Sequence, residues 1–484
     1  MNTQQTMRRA KGVFINNAWR ASDGGVMDVV APAEGKVFAQ IANGTAADVD
    51  AAVAAARAAL ETGPWGRMTA LERGRLLMRL GRVIEDHAEE LTALEARDTG
   101  KPLKQARADI VAAARYFEFY GAAADKVHGE TIPFMAGYMV ATERERFGVT
   151  GHIIPWNYPA QMFGRTLAPA LAMGNACVLK PAEDACLTPL RIAELSAEAG
   201  FPEGAINVIP GAGATAGAAL AQHRGIDFIS FTGSPEVGVF VQEAAARNHI
   251  GCTLELGGKS PQIVFDDADL DLAVPVLVNA IVQNAGQTCS AGSRLLVQAS
   301  AYDRVVEQVS ARFRDLQAGT PDMDMDLGPV INLKQKGRIE RFLDNAEAEG
   351  IPLLAKGRIA AQGDGYFIAP HLYGPVPRDN PLALDEVFGP VLSVIPFEDE
   401  AEALQLANGT DYGLVAGVWS TNTSRAIRVA RRVLAGQVYV NAYGAGGGIE
   451  LPFGGMKKSG HGREKGFEAL YEFSTLRTIV IKHD

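Results

Sequence analysis

Residues 226–238 read IDFISFTGSPEVG. Residues 226–232 form a short, mostly apolar run of strand length, and residues 235–248 carry a helical pattern. Between them Gly233 permits a tight turn, Ser234 is a good cap and Pro235 suits the first helical position. A strand running into a helix N-terminus presents free N–H groups and partial positive charge, which suits a pyrophosphate. The same residues also describe an ordinary well-capped helix, because no Lys-Ser/Thr pair follows the glycines.

The pattern repeats outward from this stretch. Upstream, residues 149–154, 176–179 and 206–209 read as strands, with helices over 160–173 (ending at Gly174) and 189–199 (closed by Gly200). Strands alternating with helices predict βαβ units and a parallel sheet. Downstream, strands at 262–265, 293–297, 391–396, 417–420 and 437–440, with helices over 301–316 and 422–434, predict a second α/β unit beginning near residue 258. The first 120 residues read as largely helical. A helix over 45–61 opens at Thr45, with Asp48 placed as in a capping box. One long helix spans 70–98, and another spans 103–124 after Gly100 and Pro102. Gly444 to Gly448 reads as a loop.

The length of 484 residues allows roughly three domains. Apolar residues are 47% and charged residues 21%, as in ordinary soluble domains. A net charge of −10 argues against nonspecific nucleic-acid binding. The four cysteines (Cys177, Cys186, Cys252 and Cys289) are too few for a disulfide framework and lack zinc-knuckle spacing. The eight histidines show no paired-ligand spacing, so no metal is expected. The polar, partly basic first twelve residues do not read as a signal peptide, and no stretch of about 18 apolar residues is present. A reducing cytoplasm and no membrane partner are expected.

Several residues have chemistry of their own. Cys289 stands in NAGQTCSAGS (284–293), among small polar residues and glycines that allow a substrate close to the backbone. Cysteine is also among the residue types most often buried and inert. Glu255, in TLELGGKS (253–260), interrupts an apolar strand just before a Gly-Gly turn. A carboxyl facing a dry cavity there has its pKa raised and suits a general base, or else it partners a nearby cation. Asn157 lies in IPWNYP (154–159), where two prolines fix the backbone and its amide NH2 is suited to a developing oxyanion, unless it is a plain turn residue. Lys180 and Glu183, in KPAE, follow a buried strand at the end where open α/β sheets bind ligands, although a surface pair beside a turn reads the same way. PGAGATAG (210–217) lacks the G-x-G-x-x-G spacing and reads as a Gly-rich turn.

Taken together, PWN (155–157), KPAE (180–183), FTGS (231–234), LELGGKSP (254–261), GQTC (286–289), EVFGP (386–390), and PFGG with KKSG (452–460) resemble the aldehyde dehydrogenase superfamily, in the family's order and over about residues 10–484. The resemblance implies an α/β fold in three parts. A Rossmann-like cofactor domain takes residues 1–125 and 147–257, and an α/β catalytic domain takes 258–458. A small β oligomerisation element with the C-terminal tail takes 126–146 and 459–484. It implies a homodimer or homotetramer.

The resemblance also assigns roles. Cys289 attacks the aldehyde carbon as thiolate, and the Asn157 side chain with the Cys289 N–H holds the oxyanion. Hydride passes to the nicotinamide, and Glu255 deprotonates the water that hydrolyses the thioester. For the cofactor, Lys180 and Glu183 meet the adenosine ribose, Trp156 and Ser234 the pyrophosphate, and Glu386 and Phe388 the nicotinamide ribose. Gly233 and Gly257 allow close approach of the backbone. Because the Glu183 carboxylate would repel a 2′-phosphate, NAD is expected over NADP. The substrate tunnel is implied near Tyr158, Met162, Arg165, Gln283, Thr288, Ser290 and Phe453. Arg165 is read either as a partner for a substrate carboxylate or as a residue holding the tunnel wall. Gln283 and the Gly-rich loop point to a roomy, polar entrance and so to a medium-sized aldehyde, aromatic or semialdehyde. The alternatives are a CoA-acylating semialdehyde dehydrogenase, a catalytically silent NAD-binding relative, and a thiol hydrolase.

Overall fold

The computed structural model describes residues 12–444 and 448–484. Most of the polar N-terminal stretch and the middle of the Gly444 to Gly448 loop therefore lie outside the described residues. Phe228–Thr232 is a strand buried along its whole length, and Pro235–Asn248 is the helix after it. Phe228–Thr232 pairs in parallel with Val149–Ile154 on one side and Gly251–Glu255 on the other. Ala176–Pro181 and Ile206–Val208 continue the parallel run beyond Val149–Ile154. Numbered along the chain, these five strands lie in the spatial order 3-2-1-4-5. That is doubly wound topology, with its switch point between Val149–Ile154 and Phe228–Thr232. Antiparallel strands complete the eight-stranded sheet: Gly12–Ile15 and Ala18–Ala21 at one edge, Gly460–His461 at the other.

A second, seven-stranded sheet is built on Pro261–Val264. It pairs in parallel with Arg294–Gln298 and Val415–Trp419, and the sheet extends through Val391–Phe397 and His371–Tyr373 on one side and Gln437–Val440 on the other. Alternate residues of its strands enter different cores. Ile263, Leu296 and Ile395 pack in one, and Val264, Leu295 and Val394 in the other. Both faces are covered, which is why these strands read as continuous apolar runs. A third, antiparallel sheet joins Ser474–Lys482, Tyr138–Arg146 and Thr131–Ile132. Its outer strand Ser474–Lys482 leaves Leu476, Val480 and Ile481 exposed.

Two sequence expectations are corrected. The helices expected in the first 120 residues are present, but before the first of them come four short strands that were not expected, Gly12–Ile15, Ala18–Ala21, Val26–Ala31 and Lys36–Ala42. Their signal was the Asn16-Asn17 pair, whose φ of 52° and 57° are the left-handed values that a tight hairpin turn demands. The helix expected over 70–98 is two helices, Ala70–Asp86 and Ala88–Thr99, broken at His87 (ψ 16°). The Thr45 capping box is formed, with Asp48 donating its N–H to the Thr45 hydroxyl and accepting from the Thr45 N–H.

Candidate active site

The polypeptide leaves Val149–Ile154 through Pro155, Trp156 and Asn157 and leaves Phe228–Thr232 through Gly233 and Ser234. Both exits lie at the switch point and line one cavity of about 440 Å³. Gly257, Glu386 and Phe388 line the same cavity. Ser234 caps the Pro235–Asn248 helix by accepting from the Val237 N–H, so the helix N-terminus opens on the cavity. Trp156 and Phe388 meet edge to face, 5.5 Å apart. Glu386 accepts from the Gly258 N–H at 2.8 Å, and a Cβ on Gly257 would fall 2.3 Å from its carboxylate. This cradle, set at a helix N-terminus and free of side-chain bulk at Gly257, fits a dinucleotide. Lys180 and Glu183 stand apart from the lining and pair with each other at 2.6 Å. Glu183 also accepts from the Gly213 N–H, so the Gly-rich turn meets them. Asp184, next in sequence, does line the cavity.

A second cavity, about 370 Å³, begins one residue after Asn157, at Tyr158. Its walls include Cys289 and all seven residues expected at the tunnel: Tyr158, Met162, Arg165, Gln283, Thr288, Ser290 and Phe453. Hydrogen bonds hold the residues on either side of the thiol. The Tyr158 and Thr288 hydroxyls lie 2.7 Å apart, and the Tyr443 hydroxyl donates to the Ser290 carbonyl at 2.6 Å. The other three cysteines line neither cavity.

Glu255 ends its strand 1% exposed. The following turn presses on the thiol-bearing segment, since a Cβ on Gly258 would lie 2.4 Å from the Cys289 carbonyl oxygen. Asn157 donates its amide to the Gln287 carbonyl at 2.9 Å, two residues before Cys289, and its second amide N–H remains for another acceptor. Its Oδ1 is buried without a partner. Burial pushes the Cys289 thiol up to about 12. Arg165 pulls it down, while Glu255 and Glu386 push it further up. Burial likewise raises Glu255 well above the usual carboxylate range, against the pull of Arg165. Glu386 is raised by burial to about 7.

Arg165 is not a ready partner for a substrate carboxylate. Its guanidinium is shared by Glu464 at 2.5 Å and Glu255 at 3.4 Å, and it lies over the Phe453 ring at 4.5 Å. The wall-holding reading is the one the geometry favours. Sequence reasoning missed Glu464 and also Lys465, which lines the cavity. The signal was near: HGREKG (461–466) follows directly on the KKSG motif and is rich in charge.

Cys289 lines one cavity, Asn157 the other, and the raised Glu255 carboxyl is buried without lining either. A thiol, an amide donor and a carboxyl are the groups that addition to a carbonyl and hydrolysis of the adduct require. The model of the aldehyde dehydrogenase family matches residues 19–479. Human retinal dehydrogenase 2 is 43% identical over 475 residues, 97% of this chain and 91% of that protein. A Burkholderia cenocepacia protein, solved as a candidate aldehyde dehydrogenase, superposes with a TM-score of 0.97 at 59% identity, covering 98% of this chain and 100% of that one. The NAD+ complex of an aldehyde dehydrogenase from Bacillus cereus gives a TM-score of 0.97 at 38% identity, covering 100% and 99%.

Proposed function

The chain belongs to the aldehyde dehydrogenase family and is an NAD-dependent aldehyde oxidoreductase, and from that premise we propose that it oxidises a medium-sized aromatic aldehyde or semialdehyde to the carboxylic acid through a thioester on Cys289. The observation that carries this reading is the setting of Cys289. It lines a 370 Å³ cavity, and its backbone is pressed by the turn that ends the Glu255 strand.

The Cys289 sulfur adds, as thiolate, to the aldehyde carbon, and the carbonyl pair moves onto oxygen. The free N–H of the Asn157 amide and the Cys289 backbone N–H face that oxyanion. NAD, bound at the switch point, supplies the acceptor for the hydrogen and electron pair that leave the carbon. Trp156, Gly233, Ser234, Gly257, Glu386 and Phe388 would hold it in the cavity, and Lys180 and Glu183 would meet its adenosine ribose. The thioester then meets water, Glu255 takes the water's proton, and collapse of the adduct expels the Cys289 thiolate and frees the acid. The presence of Glu255 favours hydrolysis over transfer to CoA.

We assign residues 1–125 and 147–257 to the cofactor domain, 258–458 to the catalytic domain, and 126–146 with 459–484 to an element that pairs subunits. The exposed apolar edge Ser474–Lys482 supports that last role. Part of the last stretch serves elsewhere as well, since Gly460–His461 joins the cofactor sheet. Among the described residues no helix is long and apolar enough to cross a membrane.

The cavity is larger than acetaldehyde needs, and its neutral polar walls at Gln161, Asn279, Gln283 and Gln437 support a substrate with polar substituents. An aldehyde panel read by NADH absorbance tests the reading. Higher kcat/KM for aromatic aldehydes or semialdehydes than for acetaldehyde is expected, and comparable values for all three would contradict it.

A further inference from the structure

A buried ion pair stands behind the wall of the substrate cavity. Lys101 and Asp109 are both buried and their side chains pair, with buried Glu95 3.5 Å from the same ammonium. None of these three lines the cavity, but two residues that do line it rest on the pair. The Lys101 ammonium lies 4.3 Å from the centroid of the Tyr158 ring, and Gln161 donates its Nε2 to Asp109 Oδ1 at 2.6 Å. Lys101 donates to the other oxygen of Asp109, so this carboxyl accepts on both sides. Burial raises the carboxyls of Glu95 and Asp109, and Lys101 opposes the shift in each. Its closer contact is with Asp109, so of the two Asp109 is the one kept ionised.

That contact fixes which way the Gln161 amide faces. A side-chain amide can turn over to suit its surroundings, unless its neighbour accepts and cannot donate. An ionised Asp109 is such a neighbour. The nitrogen end of Gln161 is drawn behind the wall, and its carbonyl oxygen is the amide atom left for the cavity. Among the described residues none donates to that oxygen. Other donors of the wall are spent within the protein. Tyr443 gives its hydroxyl hydrogen to the Ser290 carbonyl, Tyr439 gives its own to Gln437 Oε1, and Gln283 donates its amide to the Tyr158 hydroxyl. What these groups keep for a ligand is mostly acceptor oxygen. The rings of Tyr158, Tyr439, Tyr443 and Phe453 line the same space, which suits a flat aromatic ring.

We propose that Gln161 sets specificity by accepting a hydrogen bond from a hydroxyl group of the substrate, so that the aldehyde is aromatic and hydroxylated, and that Asp109 is the positioning residue that fixes the direction of the amide. This rests on the reading of the cavity as a site for a medium-sized aldehyde, and it selects the aromatic branch of that reading. A substrate with a methyl group in place of the hydroxyl covers the Gln161 oxygen and gives it no donor, which is the costly case for a polar group.

Pairs of similar shape test it: meta-hydroxybenzaldehyde against meta-tolualdehyde, and the para pair likewise, at a pH where the phenols stay protonated and with acetaldehyde as reference. The intrinsic reactivities of the two members cancel when the hydroxyl-to-methyl ratio of kcat/KM is compared between enzymes. For at least one pair, Gln161→Met is expected to lower that ratio about tenfold. Asp109→Asn should lower it as well, because an amide at 109 can donate or accept and lets Gln161 turn. Loss of a merely structural support would slow both members of a pair alike and leave the ratio where it was. Gln161→Met leaves both members of the ion pair in place, so this comparison decides the matter even if Asp109→Asn does not fold. Ratios unchanged by Gln161→Met in both pairs overturn the proposal, while the medium-sized reading stands if the benzaldehydes outpace acetaldehyde. A ratio lowered by Gln161→Met but not by folded Asp109→Asn overturns the positioning role of Asp109. Turnover of acetaldehyde with none of the four aromatic probes overturns the proposal and the aromatic reading together.

Discussion

At the scale of single residues, burial biases the two proposed reacting groups, Cys289 and Glu255, toward their protonated forms. Burial holds the Cys289 thiol at about 12 and the Glu255 carboxyl far above its usual range, and Arg165 opposes both shifts. Raised values mean that the reactive thiolate and carboxylate gain population as pH rises. Alkylation of Cys289 by iodoacetamide in the cofactor-free enzyme is therefore expected to be slow at neutral pH and to climb steeply, by about tenfold per pH unit, into the alkaline range. Glu255→Gln removes a neighbour that raises the thiol, so labelling at a given alkaline pH should speed up. A rate independent of pH from neutrality upward would contradict this electrostatic account. Cys289, Glu255 and Asn157 stood out as candidates in sequence because each interrupts its surroundings with unexpected chemistry: a thiol among small polar residues, a carboxyl in an apolar strand, an amide between prolines. Glu464 and Lys465 were not. Their meaning comes from Arg165 and Phe453, which only folding brings beside them.

At the scale of elements, strand ends and the turns after them do the positioning. The alternation of apolar runs with helical patterns made the two parallel sheets readable, because strands buried on both faces leave an unbroken apolar signal. Short N-terminal strands such as Ala18–Ala21, mostly exposed, are too brief for a two-residue period to register. The break at His87 was hidden because apolar spacing runs through it. Sequence also gave no view of what a turn touches. The Gly-Gly turn after Glu255 proves to be the piece that fits against the thiol-bearing segment. In Gly258→Ala the new methyl would sit 2.4 Å from the Cys289 carbonyl oxygen, so that segment must shift. A displacement of about 1 Å at a reacting centre costs roughly 100-fold. Gly258→Ala is therefore expected to lower kcat/KM by about that factor while circular dichroism remains that of the folded protein. A variant with unimpaired kcat/KM would show that the close contact is not needed.

At the scale of the whole molecule, two sheets deliver their loops to one place. The switch point of the eight-stranded sheet supplies Trp156, Asn157, Gly233 and Ser234, and the segment leading into the seven-stranded sheet supplies Cys289. Chain positions as distant as 157, 289 and 465 converge there, which no local pattern encodes. The order of seven motifs carried that information only through resemblance to a family. The central claim is that Cys289 forms the thioester and Glu255 frees it, and single-turnover kinetics on Glu255→Gln tests it most directly. With an aldehyde that the unaltered enzyme oxidises, rapid mixing with NAD should give a burst of about one NADH per subunit, then near-arrest, with the acyl group found by mass spectrometry on Cys289. Steady turnover at the unaltered rate, or a burst whose acyl group is absent from Cys289, would contradict the account.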